Sequence, residues 1–495
     1  SRAPPPPPPR DPPGGGGGAE PSPNLVSQAQ CYSLALAITK RVTEAIAHLC
    51  GVRLPTRSFK GAYTLATHPM IDEPLLRTNR EVCLHMIKGL WSPFQKALQA
   101  ANGLKFTEET LRPFALYIAS CHTLTRPALR DTALDEMCEA AAPASPPGAP
   151  LGSLELCRML VALAFELAGS LGDGWIPLFR FFQRLDVALV NGGCPPDVRP
   201  ADKAECARWM RDVVGAMQAR VRAGKRVVGE DGAEPDVREL RGALTLLCAD
   251  TRELPDERLV YMLAGVNDGA RMAQHANVPY YIDRILDIAF FNRHRIAVWL
   301  DILTSHLCMA ADHSNPNVRV YAVKCVPKLV HECFLEVCEQ MKGVGKAERA
   351  ERAEEFRDTK RRLLGVFMAL HKCEHVDTKK STLEGMLKTL KGLAAQLDDG
   401  WADVLELLKD IAEHNDPEQV NSAFPALHHV SNDGVLKDFP VLCLSPLATT
   451  ITAFAQQDAA PQVSVSAVQL MGHVCEFVCH NTQSLTNAFN EANAE

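Results

Sequence analysis

The sequence predicts an all-α protein, an armadillo/HEAT-like α-solenoid of stacked helical hairpins. Three observations lead to it. The periodic stretches are rich in Ala, Leu, Glu and Lys and place their apolar residues at helical spacing, while few segments alternate with period two. Tryptophans recur at matching places in helix–turn–helix units, and one such unit returns after 226 residues. Each unit carries a single apolar face, which a lone hairpin cannot bury and a stack can.

Composition narrows the function classes. The 495 residues hold 52 Lys+Arg against 59 Asp+Glu, a net charge of −7, with no long basic tract. A dedicated nucleic-acid binder needs clustered cations to neutralise phosphates, so DNA and RNA are not expected partners. No run of about 18 uncharged apolar residues is present, nor is there an apolar leader core, and a cytosolic protein is expected. The 17 cysteines are scattered over apolar helical positions with no Cys-x-x-Cys pair, which predicts buried reduced thiols and neither a disulfide framework nor a zinc ribbon. The chain opens on Ser, and a fragment or processed product is among the expectations.

Along the chain, residues 1–24 form a Pro/Gly-rich tail with ten of the 34 prolines, a composition that cannot bury enough apolar surface to order itself. Its run Pro4–Pro9 is read as an inert linker before a polyproline ligand. Residues 25–140 are helical repeats, and 141–153 are a Pro/Ala-rich linker (AAPASPPGAPLGS). Residues 154–341 are again helical repeats, interrupted by Pro/Gly clusters at 192–201 and 224–236. Residues 342–360 make a charged connecting helix or linker, and 361–495 complete the repeats.

The repeat is clearest at tryptophan. Trp401, Val404, Leu405, Leu408, Ile411 and Ala412 lie on one helix face, and Trp175, Leu178, Phe179, Phe182 and Leu185 occupy the same offsets. The preceding turns match as well, Leu171-Gly172-Asp173-Gly174 and Leu397-Asp398-Asp399-Gly400. At about 45 residues per HEAT unit, the interval suggests five units. Trp91 is read as heading a helix with Pro93 in the first turn, where a missing N–H is harmless, as Pro177 follows Trp175. Trp299, Ile302, Leu303, His306 and Ala310 form another face, and Asn315-Pro316 and Asp416-Pro417 open the helices that follow. Pro327 and Pro425 fall inside helices, where kinks are expected.

Few constellations offer chemistry. His371-Lys372-Cys373-Glu374-His375 fits the H-x-x-E-H pattern of a zinc hydrolase, yet the apolar series Leu363, Leu364, Phe367, Leu370 ends just before it, so the two histidines straddle a helix end. No third ligand is assignable. Gly343-Val344-Gly345-Lys346 lacks the first Gly and the Ser/Thr of a phosphate loop, and His428-His429 reads as core histidine. No enzyme activity, cofactor or metal is expected.

A family resemblance adds to this. Asn292-x-x-Arg295-Ile296-x-x-Trp299, with the two helices after it, resembles a helical region shared by the large Arf exchange factors of the Sec-seven class and their relatives, the Mon-two proteins. Leu90–Cys138 resembles a segment of both groups. Leu383–Phe477 resembles the Mon-two proteins specifically, through Leu397–Trp401, Val420–Phe424, Asp438–Leu444 and Val463–Leu470. The resemblance implies a non-catalytic scaffold or regulator of vesicle-mediated protein transport, peripheral on the cytosolic face of the trans-Golgi network and endosomes. It implies a Dopey-like protein and Arf/Arl-type small GTPases as partners, with membrane association through them. No Sec-seven catalytic domain is seen, and the family's amino-terminal dimerisation region has no match, so the oligomeric state is left open. The competing readings are a non-catalytic fragment of an Arf exchange factor and the zinc hydrolase. Asn292, Arg295 and Trp299 are candidates for a partner site, although Trp299 heads an apolar face and a lock between hairpins is the favoured reading.

Overall fold

The computed structural model describes residues 23–50, 52, 73–99, 108–141, 154–190, 247–273, 278–343, 345, 348, 351–398, 400–414, 416–437 and 439–492. The tail 1–22, the linker 142–153 and the Pro/Gly clusters 192–201 and 224–236 lie outside them. The described helices are α1 (Pro23–Leu49), α2 (Glu73–Gln99), α3 (Glu108–Thr123), α4 (Pro127–Ala141), α5 (Leu154–Glu166) and α6 (Trp175–Val190). They continue as α7 (Asp256–Met272), α8 (Val278–Phe291), α9 (Ile296–Ala311), α10 (Pro316–Gly343), α11 (Ala353–His371) and α12 (Val376–Leu393). The last are α13 (Gly400–Glu413), α14 (Pro417–Val430), α15 (Asp433–Leu436), α16 (Leu444–Ala455), α17 (Pro461–His480) and α18 (Thr482–Ala492). Among the described residues there is no strand.

These helices pack in two layers, the arrangement of an α-solenoid. One layer runs α2, α4, α6, α7, α9, α11, α13, α16, each in contact with the next. The other runs α1, α3, α5 and, beyond residues 191–246, α8, α10, α12, α14, α17. The core is the seam between the layers. Every apolar position of the two matched faces is buried, Trp175, Leu178, Phe179, Phe182 and Leu185 on α6 and Trp401, Val404, Leu405, Leu408, Ile411 and Ala412 on α13.

The matched turns are alike in backbone and in surroundings. Gly172 and Asp398 both take the left-handed conformation, with φ of 50° and 46°, which glycine adopts freely and Asp tolerates better than most residues. The N–H of Gly174 donates to Leu171 O at 2.9 Å, and that of Gly400 to Leu397 O at 2.8 Å. A side chain at either glycine would meet a leucine of the preceding layer-one helix, Leu134 Cδ1 or Leu364 Cδ1, each at 2.9 Å. One turn above each leucine sits a buried cation, Arg130 on α4 and Lys360 on α11. Lys360 Nζ donates to Gln396 O (3.0 Å) and Asp398 Oδ2 (2.7 Å), which offsets the strain of an Asp in the left-handed region.

Two expectations are corrected. Among the described residues the interval from Trp175 to Trp401 is four steps of layer one (α6 to α7, α9, α11 and α13), where its length suggested five; residues 191–246 of that interval lie outside the described residues. Trp91 does not head a helix: α2 runs unbroken through Pro93. Cys83, Ile87, Leu90, Trp91, Phe94 and Leu98 form one buried face across the proline, and that burial outweighs a lost hydrogen bond whose acceptor, Gly89, lies in water. Helices α10 and α14 likewise continue through Pro327 and Pro425. Pro327 is accommodated by Gly385 of α12, where a Cβ would lie 2.8 Å from the proline ring. The charged run partly belongs to a packed helix, since Phe356 and Lys360 of α11 are buried.

Asp416 caps α14, accepting from the N–H of Glu418 at 3.0 Å, as its Asp-Pro opening predicts. At α7, Gly265 is pressed against Trp175: a Cβ there would lie 2.5 Å from Trp175 Cβ and 3.2 Å from its carbonyl carbon. Gly265→Ala is therefore expected to lower stability by about 1–3 kcal/mol, because backbone has to move. Gly365→Ala, on α11 with no atom within 4 Å of the new Cβ, is expected to raise it by about 0.5–1 kcal/mol. Urea unfolding of the two variants beside the parent chain gives the opposite signs directly.

Candidate functional site

The α8–α9 turn brings Asn292, Arg295 and Trp299 together and turns all three inward. Asn292 is fully buried at the end of α8; its Nδ2 donates to Thr251 Oγ1 and to Ile288 O, both at 2.7 Å. Its Oδ1 accepts from Arg295 Nε (3.0 Å) and Nη2 (2.8 Å). The rest of the guanidinium reaches the turn that opens α7, donating to Thr251 O at 2.7 Å, to Leu254 O, and to Asp256 Oδ1 at 2.8 Å. Trp299 Nε1 donates to Asn292 O at 2.9 Å. The result is a polar knot that fastens the α8–α9 turn to the start of α7. Its donors and acceptors face one another, so the chemistry on show is positioning.

Two further knots join successive hairpins, the first of them at the opposite end of α9, and sequence reasoning missed their partners. Arg319, buried at the start of α10, forms a two-pronged bond with Asp377 at the start of α12 (Nη2 to Oδ2 2.8 Å, Nε to Oδ1 3.1 Å) and donates to His313 O at 2.9 Å. Burial pushes the Asp377 carboxyl up, but the hydrogen bonds and charge of Arg319 outweigh it and hold the group below its usual range. Beside it, Thr378 Oγ1 donates to Ala311 O (2.8 Å) and the Glu374 N–H to Asp312 Oδ1 (2.9 Å). The second knot is Lys360 with Asp398, its ammonium also lying 5.3 Å from the Phe334 ring centroid. A signal existed in the Pro316-Asn317-Val318-Arg319 helix opening, but nothing in it points to Asp377.

The remaining motifs do not assemble. His371 ends α11 and His375 precedes α12, so the pair is divided by a turn and does not share a helix face. His375 Nε2 bonds Asp312 O at 3.3 Å. Among the described residues no three His, Cys, Asp or Glu side chains are grouped to hold a metal ion. Gly343 ends α10 and Gly345 comes after that helix, with no strand before them among the described residues, outside which Val344 and Lys346 lie. A cleft of about 210 Å³ opens between α10, α11 and the turn before α13, where Met341, Arg357, Arg361, Leu397 and Asp403 meet the Lys360–Asp398 pair. Two ion pairs span it, Lys360 with Asp398 at 2.7 Å and Arg361 with Asp403 at 3.3 Å, while Arg357 pairs with Glu354 along α11.

Asn292→Ala and Arg295→Ala are each expected to lower unfolding free energy by about 1–3 kcal/mol, since each leaves buried partners unsatisfied. A double-mutant cycle should give a coupling above about 0.5 kcal/mol. Unchanged stability together with loss of a bound partner would instead make the trio a docking site. Burial holds His306 and His371 neutral, lowering both to about 4, with Arg271 adding to the effect at the first and Lys379 and His414 at the second. An unfolded histidine titrates near ~6.5, so both take up protons on unfolding between these values. Their contribution is complete above pH ~6.5 and is lost as pH falls toward 4. Urea midpoints across that window should decline, and less steeply for His371→Gln.

No protein-family model matches the chain. Among curated proteins it is similar to "Protein MON2 homolog" of Drosophila melanogaster, 23% identical over 339 residues, which are 67% of this chain and 18% of the relative. It is similar to "Protein MON2 homolog" of Homo sapiens, 20% identical over 222 residues (43% of this chain, 12% of the relative). A third relative is "Monensin-resistant homolog 2" of Caenorhabditis elegans, 19% identical over 202 residues (40% and 11%). The matched stretches span less than a fifth of the length of these relatives. Fly, human and worm proteins thus meet in one family, and the chain is related in sequence to the Mon-two proteins.

Proposed function

We propose that this chain is a non-catalytic helical-repeat scaffold for vesicle-mediated protein transport at the trans-Golgi network and endosomes. The observation that carries the reading is the similarity to MON2 homologues laid over a two-layer helical stack. In such a stack each layer contacts its neighbours, and the long outer surface is the part free to meet other proteins. The polar groups of the knots are engaged within the chain, which suits a rigid platform. No described helix is long and apolar enough to cross a membrane. Attachment to the cytosolic face then runs through partners, a Dopey-like protein and Arf/Arl-type small GTPases by the family resemblance.

The full chain, tagged and cross-linked in cells, should be captured with a Dopey-like protein or a Golgi GTPase, as identified by mass spectrometry. Recovery of importins or proteasome subunits alone would overturn the proposal. Mapping the cross-links onto α1–α18 would show which layer is gripped.

A further inference from the structure

The junction of α9 with the α11–α12 turn holds two cysteines that lie 65 residues apart in the chain. Cys308 stands one turn before the end of α9 and is half-buried; Cys373 is buried in the turn. Cys373 Sγ lies 3.9 Å from Cys308 O and 3.9 Å from Ala369 O, and its thiol also hydrogen-bonds the Cys308 sulfur. The backbone around both is held in place by Thr378 on Ala311 O and by the Glu374 N–H on Asp312.

We propose that Cys308 and Cys373 are a peroxide-sensitive modification site, joining as a reversible disulfide that ties α9 to the α11–α12 turn.

The two sulfurs have different roles because their surroundings differ. The Cys373 hydrogen bond favours the Cys308 thiolate against its partial burial and holds Cys308 below the usual thiol range. Donating that bond, together with burial, keeps Cys373 protonated. Elsewhere burial pushes Cys50, Cys121, Cys157, Cys248 and Cys333 up to about 12, leaving them poor nucleophiles. Cys308 is half-buried where Cys373 is buried, so peroxide reaches Cys308 first; Cys308 is therefore the attacking sulfur and Cys373 the resolving one.

In the first step the Cys308 thiolate attacks one oxygen of hydrogen peroxide. An S–O bond forms, the O–O bond breaks, and the departing hydroxide takes a proton to become water. In the second step the Cys373 sulfur attacks the Cys308 sulfenic sulfur. The S–S bond forms, the S–O bond breaks, and the thiol proton leaves with hydroxide as a second water. Two thiols lose two electrons and one peroxide gains them; a dithiol reductant reverses the bond by exchange.

The test uses the full chain treated with one equivalent of hydrogen peroxide, alkylation of the remaining thiols and peptide mapping. A Cys308–Cys373 linked peptide is expected to dominate. The urea midpoint should rise on oxidation and return with dithiothreitol, because the bond closes a long loop in the unfolded chain. Cys373→Ser should accumulate a sulfenic acid at position 308, trapped by dimedone, and Cys308→Ser should give neither link nor midpoint shift. Oxidation confined to the exposed Cys475 and Cys479, with Cys308 and Cys373 still reduced in the parent chain, would overturn the proposal. So would the absence of a dimedone adduct at Cys308 in the Cys373→Ser chain.

Discussion

The short turn between stacked helices, where a left-handed residue is followed two positions later by a glycine lying on a leucine, is the constraint on which the rest of the stack depends. At 171–175 and again at 397–401 the chain reverses within a few residues while both flanking helices stay packed. At both turns the reversal uses positive φ, at Gly172 and Asp398, and the glycine two positions on lets the backbone lie close against Leu134 or Leu364. The reversal then delivers a tryptophan to the seam, Trp175 or Trp401, where its large apolar area is buried. The backbone around such a turn exposes carbonyls that helix geometry cannot satisfy, and the buried Lys360 ammonium answers one of them at Gln396.

Charge taken out of water in this molecule is paired or hydrogen-bonded between successive helices of one layer in three places. Arg295 joins α9 to the opening of α7, Arg319 joins α10 to α12, and Lys360 joins α11 to the turn before α13. In each case one cation meets backbone carbonyls as well as a carboxylate, which compensates a desolvation that a bare ion pair does not recover. Such groups fix the angle between neighbouring hairpins, because several directional bonds must close at once, whereas apolar contacts permit sliding. A scaffold that presents separate surfaces in a set arrangement requires that kind of rigidity.

The α9–α12 junction concentrates more than one device. The Arg319–Asp377 pair, the Thr378 and Glu374 bonds and the two thiols all lie where α9 and α10 meet the α11–α12 turn. The H-x-x-E-H pattern falls on this same turn, and its residues serve it structurally: the Glu374 backbone and the His375 ring bind Asp312, and Cys373 packs on α9. A turn that must contact a neighbouring hairpin needs short polar side chains and small sulfur groups, and those types also make metal motifs. Composition alone does not separate the two uses; placement relative to the helix ends does.

The sequence by itself determined the helical class, the buried faces of α6, α9 and α13, the matched Gly-containing turns, the Asp-Pro cap of α14 and the relation to the Mon-two proteins, since each is carried by residues a few positions apart or by recognisable blocks. Of the candidate site it determined the trio Asn292, Arg295 and Trp299 but not the Thr251 and Asp256 that receive them. Tertiary structure alone decided that Trp91 sits inside a helix, that four layer steps among the described residues separate Trp175 from Trp401, and that Arg319 finds Asp377 and Cys373 finds Cys308. Helical periodicity is set within a turn or two of the chain, so it can be read along the sequence. Which charge faces which, 58 or 65 residues away, depends on how hairpins stack, and that is fixed only when the seam between layers closes.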